Sequence, residues 1–151
     1  MTKITIYNTQ KSLKLSKNRI KEVVRAIFES ENITCDEIVL NFVDKRTISN
    51  LHKKYFDDPS PTDCISFPID SPNEEGHVVL GEVFICPKTA IEYAENKNLN
   101  FYDETTLYIV HSILHLIGYN DITKKDKTIM RKKEKSIMNI LKEKKLNICE
   151  K

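Results

Sequence analysis

Nothing in the chain approaches a membrane-length apolar run, and no signal-like apolar segment lies near Met1, so a soluble, cytoplasmic protein without a membrane partner is expected. No two cysteines stand at C-x-x-C spacing. Cys35, Cys64, Cys86 and Cys149 are scattered, which suits a reducing compartment in which they act as small hydrophobes. Internal repeats and low-complexity linkers are also missing, and 151 residues with 40% hydrophobic content fit one ordinary domain spanning 1–151. A chain of this length buries roughly 70% of its unfolded surface, so neither disulfides nor metal are needed to hold the core. Any metal is therefore expected to be catalytic.

A strong excess of either charge is lacking as well. The net charge is +2, which by itself says little about nucleic acid. The distribution is uneven, however: residues 124–145 carry ten Lys or Arg against Asp126, Glu134 and Glu143, a local balance of +7 that leaves about −5 elsewhere. This segment reads either as an electrostatic footprint for RNA or ribosome, or as the solvated face of a terminal helix. Ile129, Met130, Ile137, Met138 and Leu141 give it an apolar stripe at helical spacing for docking.

Along the chain, alternating Ile4 and Ile6 predict a first strand, and Ser16 before Ile20, Val23, Val24 and Ile27 predicts an N-capped amphipathic helix. A β-branched strand over 38–43 precedes a helix over 45–55 with Ile48, Leu51 and Tyr55 on one face, ending at a turn marked by Pro59 and Pro61. Strands over 64–69 and 78–85 flank the polar loop 71–76. Pro87 opens a helix with Ala90, Ile91 and Ala94 inward, and a further helix starts at Tyr102 or Asp103, with Leu107, Val110, His111, Leu114 and His115 sharing a face. The order β-α-β-α-β-β-α-α-α predicts an α+β, or mixed α/β, single domain with about four strands in a sheet and packed helices.

Residues 111–121 read H-S-I-L-H-L-I-G-Y-N-D. Histidines four apart on a helix lie one turn apart on one face, so His111 and His115 can reach a common ion. Gly118 tolerates the positive φ needed for the chain to turn back, bringing Asp121 to the same ion. The spacing H-x-x-x-H-x-x-G-x-x-D is that of the metzincin zinc helix with Asp in the last place. A peptidase of that kind needs Glu directly after the first His, and Ser112 stands there. Two histidines and a carboxylate also match the ligand set of non-haem iron oxygenases.

Beyond that motif, the chain resembles the YbeY family of bacterial metal-dependent endoribonucleases that act in ribosomal RNA maturation. His111, Leu114, His115, Leu116, Gly118 and Tyr119 match the family signature H-G-x-L-H-L-x-G-Y-D-H. Leu51, Tyr55, Thr62, Asp63, Ser66 and Phe67 match L-N-x-x-Y-R followed by T-D-V-L-S-F. Leu80, Gly81 and Glu82 resemble L-G-D, and Met130 with Glu134 matches M-x-x-x-E. Four positions depart: Asp121 for the third histidine, Ser112 for the glycine after the first, Asn120 for an aspartate, and Phe56 for the arginine after Tyr55. If that arginine grips a substrate phosphate, as the resemblance suggests, Arg46, Lys53 or Lys54 must substitute.

The resemblance implies an endoribonuclease specific for single strands, with His111, His115 and Asp121 as metal-binding and catalytic residues. One divalent ion, zinc by expectation, leaves an open position for water or substrate. The implied partners are precursor ribosomal RNA and the ribosome or its small-subunit proteins. Asp63 and Glu82 are candidate general bases, Ser66 a candidate substrate contact, and Tyr119 a candidate base-stacking surface. The competing expectations are a ribosome-associated binding protein with a structural or vestigial metal site, and a metzincin-like peptidase.

Overall fold

Alternation of apolar residues sets the sheet: β1 (Lys3–Asn8) buries Ile4 and Ile6, and β2 (Glu37–Phe42) buries Ile38, Leu40 and Phe42. The computed structural model describes residues 1–57 and 62–149, so the turn expected at Pro59 and Pro61 lies outside the described residues. The sheet is completed by β3 (Cys64–Pro68) and β4 (Val79–Ile85), in the order β1-β2-β4-β3. β1, β2 and β4 run parallel, and β3 is an antiparallel edge strand.

The β2–β4 register slips between Glu37↔Val79 and Val39↔Glu82, so β4 spends one extra residue around Gly81. This bulge resets the period, and Leu80, Val83 and Ile85 all reach the same core. Gly81 is required there. A Cβ would lie 2.5 Å from the Phe67 carbonyl oxygen and 2.8 Å from a Leu116 methyl, so the bulge lets β3 and the end of the site helix close on one another.

Five helices cover the sheet. In α1 (Lys17–Ser30) the Ser16 hydroxyl accepts from the Arg19 N–H as expected of a cap, and Ile20, Val23, Val24 and Ile27 are fully buried. α2 (Lys45–Phe56) packs on the opposite sheet face, where Ile48 joins Val43, Ile65 and Cys86 in a small second core. Tyr55, expected to face inward with Ile48 and Leu51, is instead 53% exposed in the last turn of α2, meeting the edge of the Phe67 ring with Lys54 over its face.

Pro87 opens α3 (Pro87–Lys97) as predicted, and Ala90 and Ala94 are buried. α4 (Phe101–Leu116) starts earlier than the expected Tyr102 or Asp103, because the Asn100 side chain accepts from the N–H groups of both those residues. α5 (Lys124–Glu143) opens with a reciprocal Thr123–Asp126 capping box and docks through Met130, Ile137 and Leu141. Ile129 is not part of that stripe. It lies about 100° round the helix from Met130 and is 46% exposed. No disulfide joins any of the four cysteines, and among the described residues no helix is long and apolar enough to cross a membrane.

The result is a mixed α+β domain in which α4 lies against β3 and β4, flanked by α3 and α5. Replacing Gly81→Ala should cost about 1–3 kcal/mol or more through overpacking at the bulge, read as a lower urea midpoint. An unchanged midpoint would show that the bulge has room for a side chain.

Candidate metal centre

The platform is α4, buried on most of its circumference by Thr105, Thr106, Tyr108, Ile109, Val110, Ile113 and Leu114. Both threonines return their hydroxyls to carbonyls one turn back, so the interior helix leaves no polar atom unpaired. Along one strip the helix is open, and there His111 and His115 stand a turn apart with side chains 28% and 26% exposed. Val110 and Leu114, expected on their face, point into the core instead.

Helix α4 ends as the glycine predicted. Gly118 has φ +112, its N–H bonds the His115 carbonyl, and the Tyr119 N–H bonds the Leu114 carbonyl, the pairing of a Schellman turn. Among the described residues beyond its chain neighbours, nothing lies within 4 Å of a Cβ built at Gly118, so conformation alone requires glycine there. The turn has two consequences. It aims the Tyr119 carbonyl at His115 Nδ1, 3.0 Å away, and it carries Asp121 back over the helix end.

A carbonyl can only accept, so His115 Nδ1 carries the hydrogen and a neutral His115 has a bare lone pair on Nε2. His111 Nδ1 lies 2.5 Å from the Glu134 carboxylate, which fixes the same tautomer. The two Nε2 atoms face each other at 3.0 Å, and Asp121 Oδ2 lies 3.8 Å from His111 Nε2 and 3.7 Å from His115 Nε2. Two lone pairs aimed at one point repel unless a proton or a cation lies between them.

The ionisation preferences express this conflict. Burial works to lower the His111 pKa, but the Glu134 hydrogen bond and the charges of Glu134, Asp63 and Asp121 outweigh it and raise it above the usual imidazole value. Burial and the nearby His111 charge push His115 below that value.

The donor set fits a small divalent cation. Three donors at tetrahedral bond lengths near 2.0–2.1 Å would stand roughly 3.3 Å apart, and the distances of 3.0, 3.7 and 3.8 Å bracket that spacing. The three donor atoms lie within 4.8 Å of one another, the group the sequence had singled out.

The donors open on a cleft of about 570 Å³ whose walls include His52 and Phe56 of α2, Asp63 with Cys64 to Ser66 of the edge strand, and Tyr119 to Asp121. Asp63 lines it with one oxygen on the Cys64 N–H. Glu82, the other carboxylate considered as a base, lies elsewhere and accepts from Asn41. The Ser66 hydroxyl donates to the Ser112 carbonyl, so it ties β3 to α4 at the cleft floor. Burial first, then Asp63, pushes the Cys64 thiol far up, which disfavours its thiolate. Ser112 is fully buried and donates to the Tyr108 carbonyl, leaving no base at the position a zinc peptidase uses.

None of Arg46, Lys53 or Lys54 lines the cleft; α2 presents His52 and Phe56 there, rings 5.3 Å apart. Glu134 carried no functional assignment in the sequence, although two signals marked it. It falls on the inward stripe of α5 at i+4 from Met130, where an unpaired carboxylate is costly, and it belongs to the M-x-x-x-E match.

Fold and site together define a mixed-sheet domain with a His-His-Asp cluster that could hold a cation at the end of its central helix. A family profile described as Endoribonuclease YbeY matches residues 5–142. The Endoribonuclease YbeY of Protochlamydia amoebophila is 46% identical, covering 96% of this chain and 97% of that protein, and that of Chlamydia felis is 37% identical, covering 94% and 92%. The chain belongs to the YbeY family. Its fold is shared by a Thermotoga maritima protein solved in solution, with TM-score 0.66 at 23% identity over 95% of this chain and 92% of that one.

If Glu134 orients His111, Glu134→Ala should lower divalent-metal affinity by roughly 10- to 100-fold with the helical circular dichroism signal retained. Affinity equal to wild type in a competition titration would remove Glu134 from the site.

Proposed function

We propose that the protein is an endoribonuclease that cuts single-stranded RNA during ribosomal RNA maturation, using one divalent cation held by His111, His115 and Asp121. Family membership supports the activity, and the facing Nε2 pair, with both Nδ1 atoms committed to acceptors, is the observation that carries the site assignment. When bound, the cation supplies Lewis-acid polarisation of a phosphoryl oxygen and acidifies water.

The chain's own groups do the rest. Glu134 and the Tyr119 carbonyl hold the imidazoles in the tautomer that presents Nε2, so little reorganisation is needed on loading. Asp121 adds a negative donor where the family pattern has a third histidine. That lowers the net charge of the loaded site, so water is acidified less and harder divalent ions compete better; zinc is the first candidate. Asp63 lines the same cleft and is the candidate base there. Phe56, His52 and Tyr119 offer ring faces to unstacked bases, the usual way single-stranded RNA is held. Association with the ribosome belongs to the same proposal, with the basic surface of α5 as the contact.

Metal-loaded protein should cut single-stranded RNA and leave casein intact. His115→Ala should retain its circular dichroism spectrum and lose RNA cleavage to background. Cleavage at the wild-type rate in that variant would contradict the site assignment, and RNA binding without cleavage by loaded wild type would favour a binding protein with a vestigial site.

A further inference from the structure

The cleft raises an electrostatic difficulty. Among the described residues its lining contains Asp63 and Asp121 but no Lys or Arg. A neighbouring cavity on the other side of His111 adds Glu104 and Glu134, and Glu104 is pushed up by burial and by the charges of Asp63 and Glu134. A phosphodiester backbone approaching this acidic surround meets repulsion that one divalent ion offsets only locally. The arginine that the family pattern places at position 56 is a phenylalanine here.

Cations do adjoin the donors from another side. A third cavity, about 270 Å³, is lined by His111, Asp121, Lys127, Met130, Arg131 and Glu134, and so shares His111 and Asp121 with the main cleft. Lys127 and Arg131 are exposed and four residues apart on α5, hence on one face one turn apart. Among the described residues neither is ion-paired, whereas Lys133 and Lys144 of the same segment pair with Glu31 and Glu29. Glu134 lines the same cavity, but its carboxylate pairs with His111 and forms no ion pair with either cation. An Arg fork with an adjacent Lys is a strong phosphate-binding pair.

We propose that Lys127 and Arg131 form a phosphate subsite that holds the RNA phosphate next to the one at the His-His-Asp centre. The substrate grip thereby moves from α2, where the family arginine would stand, to α5. This rests on the endoribonuclease function proposed above and adds the path of the strand: from the Phe56 and His52 rings, across the donor cluster, to the first turns of α5. The basic excess of α5 is thus not uniform in role, since only its N-terminal cations reach the site.

The test compares wild type, Lys127→Gln/Arg131→Gln and Lys142→Gln/Lys145→Gln. The last removes equal charge near the C-terminal end of α5, where those lysines line a separate cavity. Binding of a short fluorescein-labelled 2′-O-methyl single-stranded oligonucleotide is followed by anisotropy across salt concentrations, and cleavage of the matching RNA gives kcat and KM. The first double variant should bind roughly tenfold more weakly and lose about 1.4 from the slope of log K against log salt, with KM rising far more than kcat falls. The distal variant should lose much less. Equal losses in the two variants, or no binding by wild type, would overturn the subsite. If wild type binds through Lys127 and Arg131 but cuts no RNA, the subsite stands and the assigned activity fails; if it cuts RNA and the first double variant is unimpaired, the activity stands and the subsite fails.

Discussion

One hydrogen bond governs the chemistry of the site: the Tyr119 carbonyl on His115 Nδ1. A carbonyl oxygen cannot donate, so this contact settles where the ring proton sits and turns Nε2 into a bare donor aimed at its neighbour. The contact exists because Gly118 permits a Schellman turn, and the same turn returns Asp121 to complete the donor set. Glycine at 118, the orientation of His115 and the reach of Asp121 are therefore one constraint, expressed in eleven residues of sequence.

Around that constraint the fold supplies rigidity. α4 is packed by the sheet, α3 and α5, and its polar side chains within the core bond their own backbone, so the strip bearing both histidines has little freedom to shift. The Gly81 bulge lets Leu116 and the β3 backbone approach closely, and the Ser66 hydroxyl ties β3 to the carbonyl of Ser112. α5 contributes from the remaining side, with Met130, Ile137 and Leu141 anchoring a helix whose one inward carboxylate, Glu134, is answered by His111. A buried carboxylate without that partner would be costly, so helix docking and ring orientation support one another.

Much of this was legible in sequence because the relevant signals are local. Period-two and period-3.6 patterns gave the nine elements in order, and the His-His-Gly-Asp spacing located the donors. What local pattern could not reach was tertiary. The β4 bulge depends on how β4 aligns with β2, and the exposure of Tyr55 depends on how the last turn of α2 meets Phe67 of β3. The partner of Glu134 is 23 residues away, across a helix interface. Arg46, Lys53 and Lys54 were reasonable replacements for a missing arginine by proximity in sequence, yet helical geometry turns His52 and Phe56 to the cleft. The start of α4 is set by the Asn100 side chain, which accepts from the N–H groups of Tyr102 and Asp103, the two residues expected to begin it.

The central claim is that His111, His115 and Asp121 act together as cation donors. Its most direct test is the metal content, by mass spectrometry, of untagged wild type and Asp121→Ala prepared without chelator. About one equivalent of a divalent metal in wild type, sharply reduced in the folded variant, is the predicted result. A folded wild type that carries no metal and cannot be loaded, or an Asp121→Ala protein that retains a full equivalent, would contradict the account.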